Sequence, residues 1–363
     1  MSVQVPALNL NASFAPAGTW RSRMLAFVLM IAIAGIFWVD SRYPALLKRL
    51  HSGTQIKATG ALTFGAVYQV DRSLPLSTRV WRTSVNWLDA NRVGMTFSFL
   101  FGPAALTFLA TLPRRRFGSR YLNTLFGAIS GVPLAVCSNC IAPIARGLFA
   151  SGMSTESVLA TMFASPALNV VVLAMTFALF PMPVALLKLA TVLFLIFVFA
   201  PAISSREKSA ELKVTCPIDL PVAETWLQVA LSVAKTYAKS FWYVARVALP
   251  LMLLAALLGA FVAELVPPQA LLAPVSLGGI LLVAIIAAFL PVPMAFDVAI
   301  AYIIMTKGVP LPYVVTILCT LGIISVYSAS VIGKTLSWRV AAATYATVVA
   351  IGTIAGLFAR FLL

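Results

Sequence analysis

Nine apolar runs, divided by short polar or basic connections, leave this chain few ways to fold. They lie at 24–39, 93–112, 121–150, 157–180, 184–203, 244–265, 276–306, 311–333 and 340–361. About twenty apolar residues suffice for a helix to cross a bilayer. In lipid, backbone polar groups must be satisfied within the segment, which favours helices. The class that follows is an all-α polytopic membrane protein. Composition agrees, with 61% hydrophobic and 10% charged residues, against roughly a quarter charged in a soluble domain. The excess of 26 Lys and Arg over 10 Asp and Glu would raise nucleic-acid binding in a soluble chain. Here the basic residues sit between apolar runs, as membrane orientation requires. The expected partner is the lipid bilayer, and no nucleic acid is expected.

Two of the runs, 121–150 and 276–306, reach about thirty residues and are interrupted by prolines, Pro133 and Pro143 in one, Pro291 and Pro293 in the other. Each is followed by a glycine that precedes a new helix, Gly152 and Gly308, which stand 156 positions apart. The flanking runs keep that separation, so the chain contains a repeat. Each unit is predicted to hold three transmembrane helices plus one proline-broken re-entrant hairpin, with one extra N-terminal helix ahead of the first. Treating both hairpins as re-entrant places more Lys and Arg on the cytoplasmic side than treating them as crossings. Three crossings per unit then make the two repeats inverted, with hairpin tips meeting near the midplane. Inverted repeats with paired discontinuous helices belong to transporters.

The divisions that follow are a disordered N-terminus at 1–23, an anchor helix and polar loop at 24–92, and a first repeat at 93–203. A cytoplasmic linker at 204–240 and a second repeat at 241–363 complete the chain. Within the polar loop, Val80 to Arg92 carries Trp81 and Trp87 and suits either a helix lying in the interface or an ordinary surface loop. His51 and Cys216 have no neighbouring partner in the sequence and carry no expected role.

The first tip reads Pro133-Leu-Ala-Val-Cys137-Ser138-Asn139-Cys140-Ile-Ala-Pro143. A Cys-x-x-Cys pair at the start of a half-helix offers two soft donors suited to Cu(I), Zn(II) or trivalent arsenic-like species. Cys137 and Cys140 are therefore the candidate metal or metalloid ligands, against the plainer reading of buried cysteine as a small hydrophobe. Asp297 is the sole acid deep in an apolar run, and an ionisable group there points to function. It is expected to carry a coupling proton or cation, or to pair with Arg146 or Arg246. Met294 is a second soft donor, or core filler. Ser165 and Asn169 share one helix face, and Ser325, Tyr327 and Ser328 lie on the corresponding helix of the second half. These line a polar path or bond helices together. Lys188, Glu264 and Lys334 lie near run ends, where long side chains snorkel to the interface.

The run from Gly131 to Gly152 and the later Phe163-Ala-Ser165-Pro166-Ala-Leu-Asn169 resemble a bacterial permease family that includes the organoarsenical efflux permeases. That family has a Cys-Ser-Cys-Gly tip and a Ser-Pro-Ala-Leu-Asn helix. This sequence has Asn139 in place of the second Cys and Cys140 in place of the Gly. The resemblance implies a multi-pass protein of the bacterial inner membrane that exports a small solute, with no cofactor. The expected solute-binding set is Cys137, Ser138, Asn139, Cys140, Ser165, Asn169, Met294, Asp297 and Ser325. The competing reading is a transmembrane thiol-disulfide electron conductor in which Cys137 and Cys140 cycle, with Cys319 as the sole further membrane thiol in reach of the idea. The sequence has no phosphate-cradling glycine loop, paired carboxylates or histidine triad, so an enzyme is not expected.

Overall fold

A computed structural model describes residues 19–44, 47, 67–71, 73–112, 119–206, 225–265 and 274–361. Among these residues every regular element is helical. The chain runs through α1 (Trp20–Phe37, extended by a π turn at Trp38–Arg42), α2 (Leu76–Leu109), α3 (Arg120–Gly131), α4 (Ser138–Ala150), α5 (Thr155–Ala167), α6 (Val170–Leu179) and α7 (Met182–Phe194). A π turn at Leu195–Phe199 joins α7 to α8 (Ala200–Arg206). The second half holds α9 (Trp226–Leu265), α10 (Leu277–Phe289), α11 (Phe296–Thr306), α12 (Leu311–Thr320), α13 (Val326–Thr335) and α14 (Trp338–Phe358). Five helical stretches among the described residues are long and apolar enough to cross a membrane: Trp20–Arg42, Leu76–Leu109, Met182–Ser205, Trp226–Leu265 and Trp338–Phe361. The pair α5 and α6, bent by 49°, makes a sixth. The protein is thus multi-pass.

Both long runs are broken where their prolines demand. A proline donates no amide hydrogen bond; Leu290 before Pro291 is pushed into the extended region, ψ 126°, whereas Val132 before Pro133 stays helical, φ -51° and ψ -50°. After Gly131 the chain tightens into a 3-10 turn at Val132–Leu134 and reaches Ala135 in the left-handed region, φ 47°. Cys137 then caps α4, its sulfur accepting from Cys140 N at 3.2 Å. The second break runs through Pro291 and Pro293 to Ala295, also left-handed at φ 62°, which opens α11. A left-handed alanine costs about 1–2 kcal/mol and persists where the surroundings fix it. Both alanines are buried. Pro143 is no break point, contrary to expectation: it sits within α4, where its missing N–H leaves the main-chain carbonyl of Asn139 without its helical donor.

Two runs expected to be continuous are broken as well. The run 157–180 divides at Leu168 and Asn169, with Asn169 capping α6 through Val172 N at 3.0 Å. The run 311–333 divides at 321–325, where Gly322 has φ 82° and Ser325 caps α13 in a reciprocal capping box with Ser328. Hydropathy does not register these breaks, because the residues that make them are small and the flanks stay apolar. The first span of each half is longer than its apolar run. It begins at Leu76 instead of 93 and at Trp226 instead of 244. Hydropathy marks only the part of a helix that lipid covers, and the polar turns of Val80 to Arg92 continue straight into α2. Residues 1–18 and 207–224, His51 and Cys216 lie outside the described residues.

Helices cross closely through glycine, as membrane bundles allow. A Cβ on Gly127 of α3 would stand 2.2 Å from Ser157 O of α5, and one on Gly147 of α4 would stand 2.8 Å from Gly102 O of α2. These crossings sink α4 into the bundle, where Ser138 through Leu148 are all buried. Element boundaries keep the 156-residue spacing: α5 begins at Thr155 and α12 at Leu311, α7 at Met182 and α14 at Trp338. The positive-φ glycines Gly152 and Gly308 and the capping residues Asn169 and Ser325 fall in the same register.

Candidate functional site

The two proline-broken tips touch. Asn139, in the first turn of α4 and fully buried, donates from Nδ2 to Val292 O of the second tip at 2.9 Å and accepts at Oδ1 from Ser325 Oγ at 2.7 Å. One side chain thus joins the N-terminus of α4, the α10–α11 break and the N-terminus of α13. Each tip is also tethered by an indole: Trp38 Nε1 donates to Pro133 O and Trp87 Nε1 to Pro291 O, both at 2.8 Å. These bonds satisfy backbone carbonyls that a break inside a membrane would otherwise leave bare.

The cysteines lie just behind Asn139. Their sulfurs are 2.7 Å apart, Cys137 is 3.6 Å from Asn91 Oδ1 of α2, and both residues are buried at 4% and 2% exposure. Gly94, one turn on from Asn91, leaves room for Cys140, since a Cβ there would come within 2.7 Å of its sulfur. Tyr327 lies in the first turn of α13, two residues after the Ser325 that bonds Asn139. Ser138 stands between the cysteines on the first turn of α4. The hydroxyls of Ser138 and Tyr327 are fully buried and have no hydrogen-bond partner. Among the described residues, no group of three His, Cys, Asp or Glu side chains is placed to hold a metal ion. The pair offers two sulfurs and no third donor of that kind.

A cleft of about 490 Å³ reaches the second tip from the opposite side, lined among others by Tyr68, Trp87, Glu264, Pro291, Val292 and Pro293. Val292, whose carbonyl accepts from Asn139, is among its lining residues. At the mouth, Arg79 pairs with Glu264 at 3.1 Å. The backbone of Tyr68 exchanges two bonds with the Asn86 amide, at 2.9 and 2.8 Å.

A family model described as a predicted permease, ArsP-like, matches residues 106–361. The chain belongs to that permease family. It matches no curated protein and no solved structure. The matched part of the permease holds both tips, both cysteines and Asp297, whereas α1 and most of α2 lie ahead of it.

Several expected site residues have other neighbours than their sequence positions suggested. Asp297 pairs with Lys188 of α7, and not with Arg146 or Arg246. Lys188 is itself buried and does not snorkel; the helix that holds it packs against α12 and α14. Gly322 closes over the pair, since a Cβ there would sit 3.3 Å from Asp297 Cγ. Arg146 donates to Tyr243 O at 3.2 Å and to Thr335 Oγ1 at 3.4 Å, with its guanidinium 4.2 Å over the Tyr243 ring. Ser165 holds the first tip in shape, bonding Val136 N at 3.2 Å and Val136 O at 3.4 Å. Asn169 is spent on capping α6 and on the carbonyls of Ser165 and Pro166. Met294, half-buried, packs against both apolar clusters of the permease. Cys319 is buried beside Thr191, Lys188 and Asp297. Sequence reasoning missed Asn91, Trp87 and Lys188. Only Lys188 carried a signal, a basic residue within an apolar run; Asn91 and Trp87 lie in the polar stretch ahead of the run at 93, and the fold alone supplies their partners.

Proposed function

We propose that the permease exports a small uncharged thiophilic solute across a bacterial inner membrane by alternating access at the meeting tips. One observation carries this reading: Asn139 bonds the broken tip of one half to that of the other, at Val292, which also lines an open cleft. The register of 156 residues between α5 and α12, and between α7 and α14, supports two repeats. With three crossings each, the repeats are inverted, and the hairpins α3–α4 and α10–α11 enter from opposite faces. In this arrangement the N-terminus and the linker 204–240 are cytoplasmic, as the positive residues favour, and the cleft opens outward beside Tyr68. Its mostly apolar lining suits an uncharged solute better than a hydrated ion, and the paired sulfurs behind Asn139 suit a thiophile. Rocking of one repeat against the other would part Asn139 from Val292 and expose the thiols to alternate sides. Asp297 couples the cycle: protonation releases α11 from Lys188 of α7, and deprotonation re-forms the pair.

The contact between the two sulfurs also satisfies a thiol-disulfide conductor. That reading requires a partner thiol to reach them, and both cysteines are buried in the bundle.

Thiol protection separates the two. Binding of As(OH)3 to the purified permease is expected to shield Cys137 and Cys140 from alkylation. Cys137→Ser and Cys140→Ser should each abolish the shielding while the protein still folds. If both thiols remain equally reactive with and without As(OH)3 and other soft species, the ligand role is wrong.

A further inference from the structure

The first half of α9 presents a basic face. The helix runs from Trp226 to Leu265, and its apolar run starts only at 244. Lys235, Lys239, Trp242 and Arg246 stand at i, i+4, i+7 and i+11, which places them in one stripe along the helix. All four are exposed. The one acid of α9, Glu264, lies at its other end and is paired with Arg79.

Beside the stripe stands a cation that the bundle leaves without a counter-charge. Arg146 is 5% exposed, and its two hydrogen bonds go to uncharged oxygens, Tyr243 O and Thr335 Oγ1. Its guanidinium lies 4.2 Å from the centre of the Tyr243 ring, and that of Arg246 lies 5.4 Å from the same centre. Two like charges thus share one ring. Lys334, next to Thr335, is exposed and stands 6.0 Å over the Trp338 ring. Among the described residues, carboxylates pair with Arg79, Arg92 and Lys188, and none pairs with Arg146, Lys235, Lys239, Arg246 or Lys334. A buried charge without a counter-charge is costly, and a like charge beside it adds to the cost. The ring face offsets only part of this.

We infer that this face of α9 holds the headgroup of an anionic phospholipid. Basic residues placed where a helix enters the bilayer attract acidic headgroups, and tryptophan settles at the same depth. Trp242, 67% exposed, stands within the stripe, and the apolar run begins two residues later. A phosphate seated on the planar fork of Arg246 supplies the negative charge that Arg146 lacks across the Tyr243 ring. A free anion would answer the charge but would leave Trp242 and the apolar residues after it uncovered, so the occupant is a lipid.

The test titrates the purified full-length permease in detergent with dioleoylphosphatidylglycerol, dioleoylphosphatidylcholine and inorganic phosphate, and reads the thermal midpoint. Phosphatidylglycerol is expected to raise the midpoint, and neither other probe should match it. Lys239→Gln with Arg246→Gln should need about thirtyfold more phosphatidylglycerol for the same rise, the effect of two basic residues lost at a lipid surface. Both side chains are exposed, so without lipid the double variant should melt with the parent. If it does not, Lys239→Gln alone gives the reading, with about a fivefold loss expected. Lys307→Gln, which removes an exposed cation after the second tip, should respond as the parent does. Equal rises with phosphatidylglycerol and phosphatidylcholine, an equal rise with inorganic phosphate, or a double variant that responds like the parent would each overturn the headgroup site. An equal loss in Lys307→Gln would overturn it too, since the response would then follow net charge alone.

Discussion

Asp297→Asn is expected to destabilise the permease by about 3–5 kcal/mol, the usual cost of stranding one member of a buried ion pair, and to abolish transport. Judged by volume alone the swap is near-neutral, since Asn copies the shape of Asp. The buried Lys188 reverses that expectation. Its ammonium is held by Asp297 Oδ2 in a bundle from which both side chains exclude solvent. Once the carboxylate charge is gone, the ammonium must shed its proton or remain uncompensated in a low-dielectric interior. The double variant Asp297→Asn with Lys188→Met removes both charges and should recover most of the stability, because apolar replacement of a buried pair is often neutral or better. It should not recover transport, because the coupling group is still missing. Thermal unfolding of purified protein gives the first quantity, and uptake of As(OH)3 into inverted vesicles gives the second. Parent-like stability of Asp297→Asn would refute the buried pair, and parent-like uptake by the double variant would refute the coupling role.

Asn139→Ala should cost about 1–3 kcal/mol for the Val292 carbonyl left without its donor and reduce uptake to background. Ser325 loses its bond to Asn139 Oδ1 as well, but keeps Ser328 within 3.3 Å. That limits the stability cost at that end. The larger effect is on the cycle, since Asn139 is the side chain that registers one tip against the other. Uptake at the parent rate by Asn139→Ala would mean the bridge is packing and not part of the gate.

The proline-broken runs and the Cys-Ser-Asn-Cys tip were legible in the sequence because each is a local signal. Helices end around Pro133 and at Pro291 and Pro293, although Pro143 stays within α4, and glycines at 152 and 308 take up positive φ after a helix end. The breaks at 168–169 and 321–325 were hidden because apolar residues continue on both sides, leaving Asn169 and Ser325 to cap helices that hydropathy joins together. Lys188 was misread for a different reason. Its partner lies 109 residues away, and position along a run says nothing about which face another helix covers. The starts of α2 at Leu76 and α9 at Trp226 escaped because the turns at those ends are helical although their sequence is polar. The roles of Ser165 and Asn169 were half legible. Their shared face was apparent, but their use in shaping the first tip and capping α6 depends on the break between α5 and α6.

Site-directed labelling tests the inverted arrangement most directly. Ser151 and Lys307 flank Gly152 and Gly308, the turns that follow the two hairpins. Replacing all four cysteines, Cys137, Cys140, Cys216 and Cys319, with serine provides a background for introducing one cysteine at either position. In intact cells a membrane-impermeant maleimide should modify Lys307→Cys, and should modify Ser151→Cys only after the membrane is opened. Modification of both positions from the same side would contradict inverted repeats and, with them, tips that enter from opposite faces.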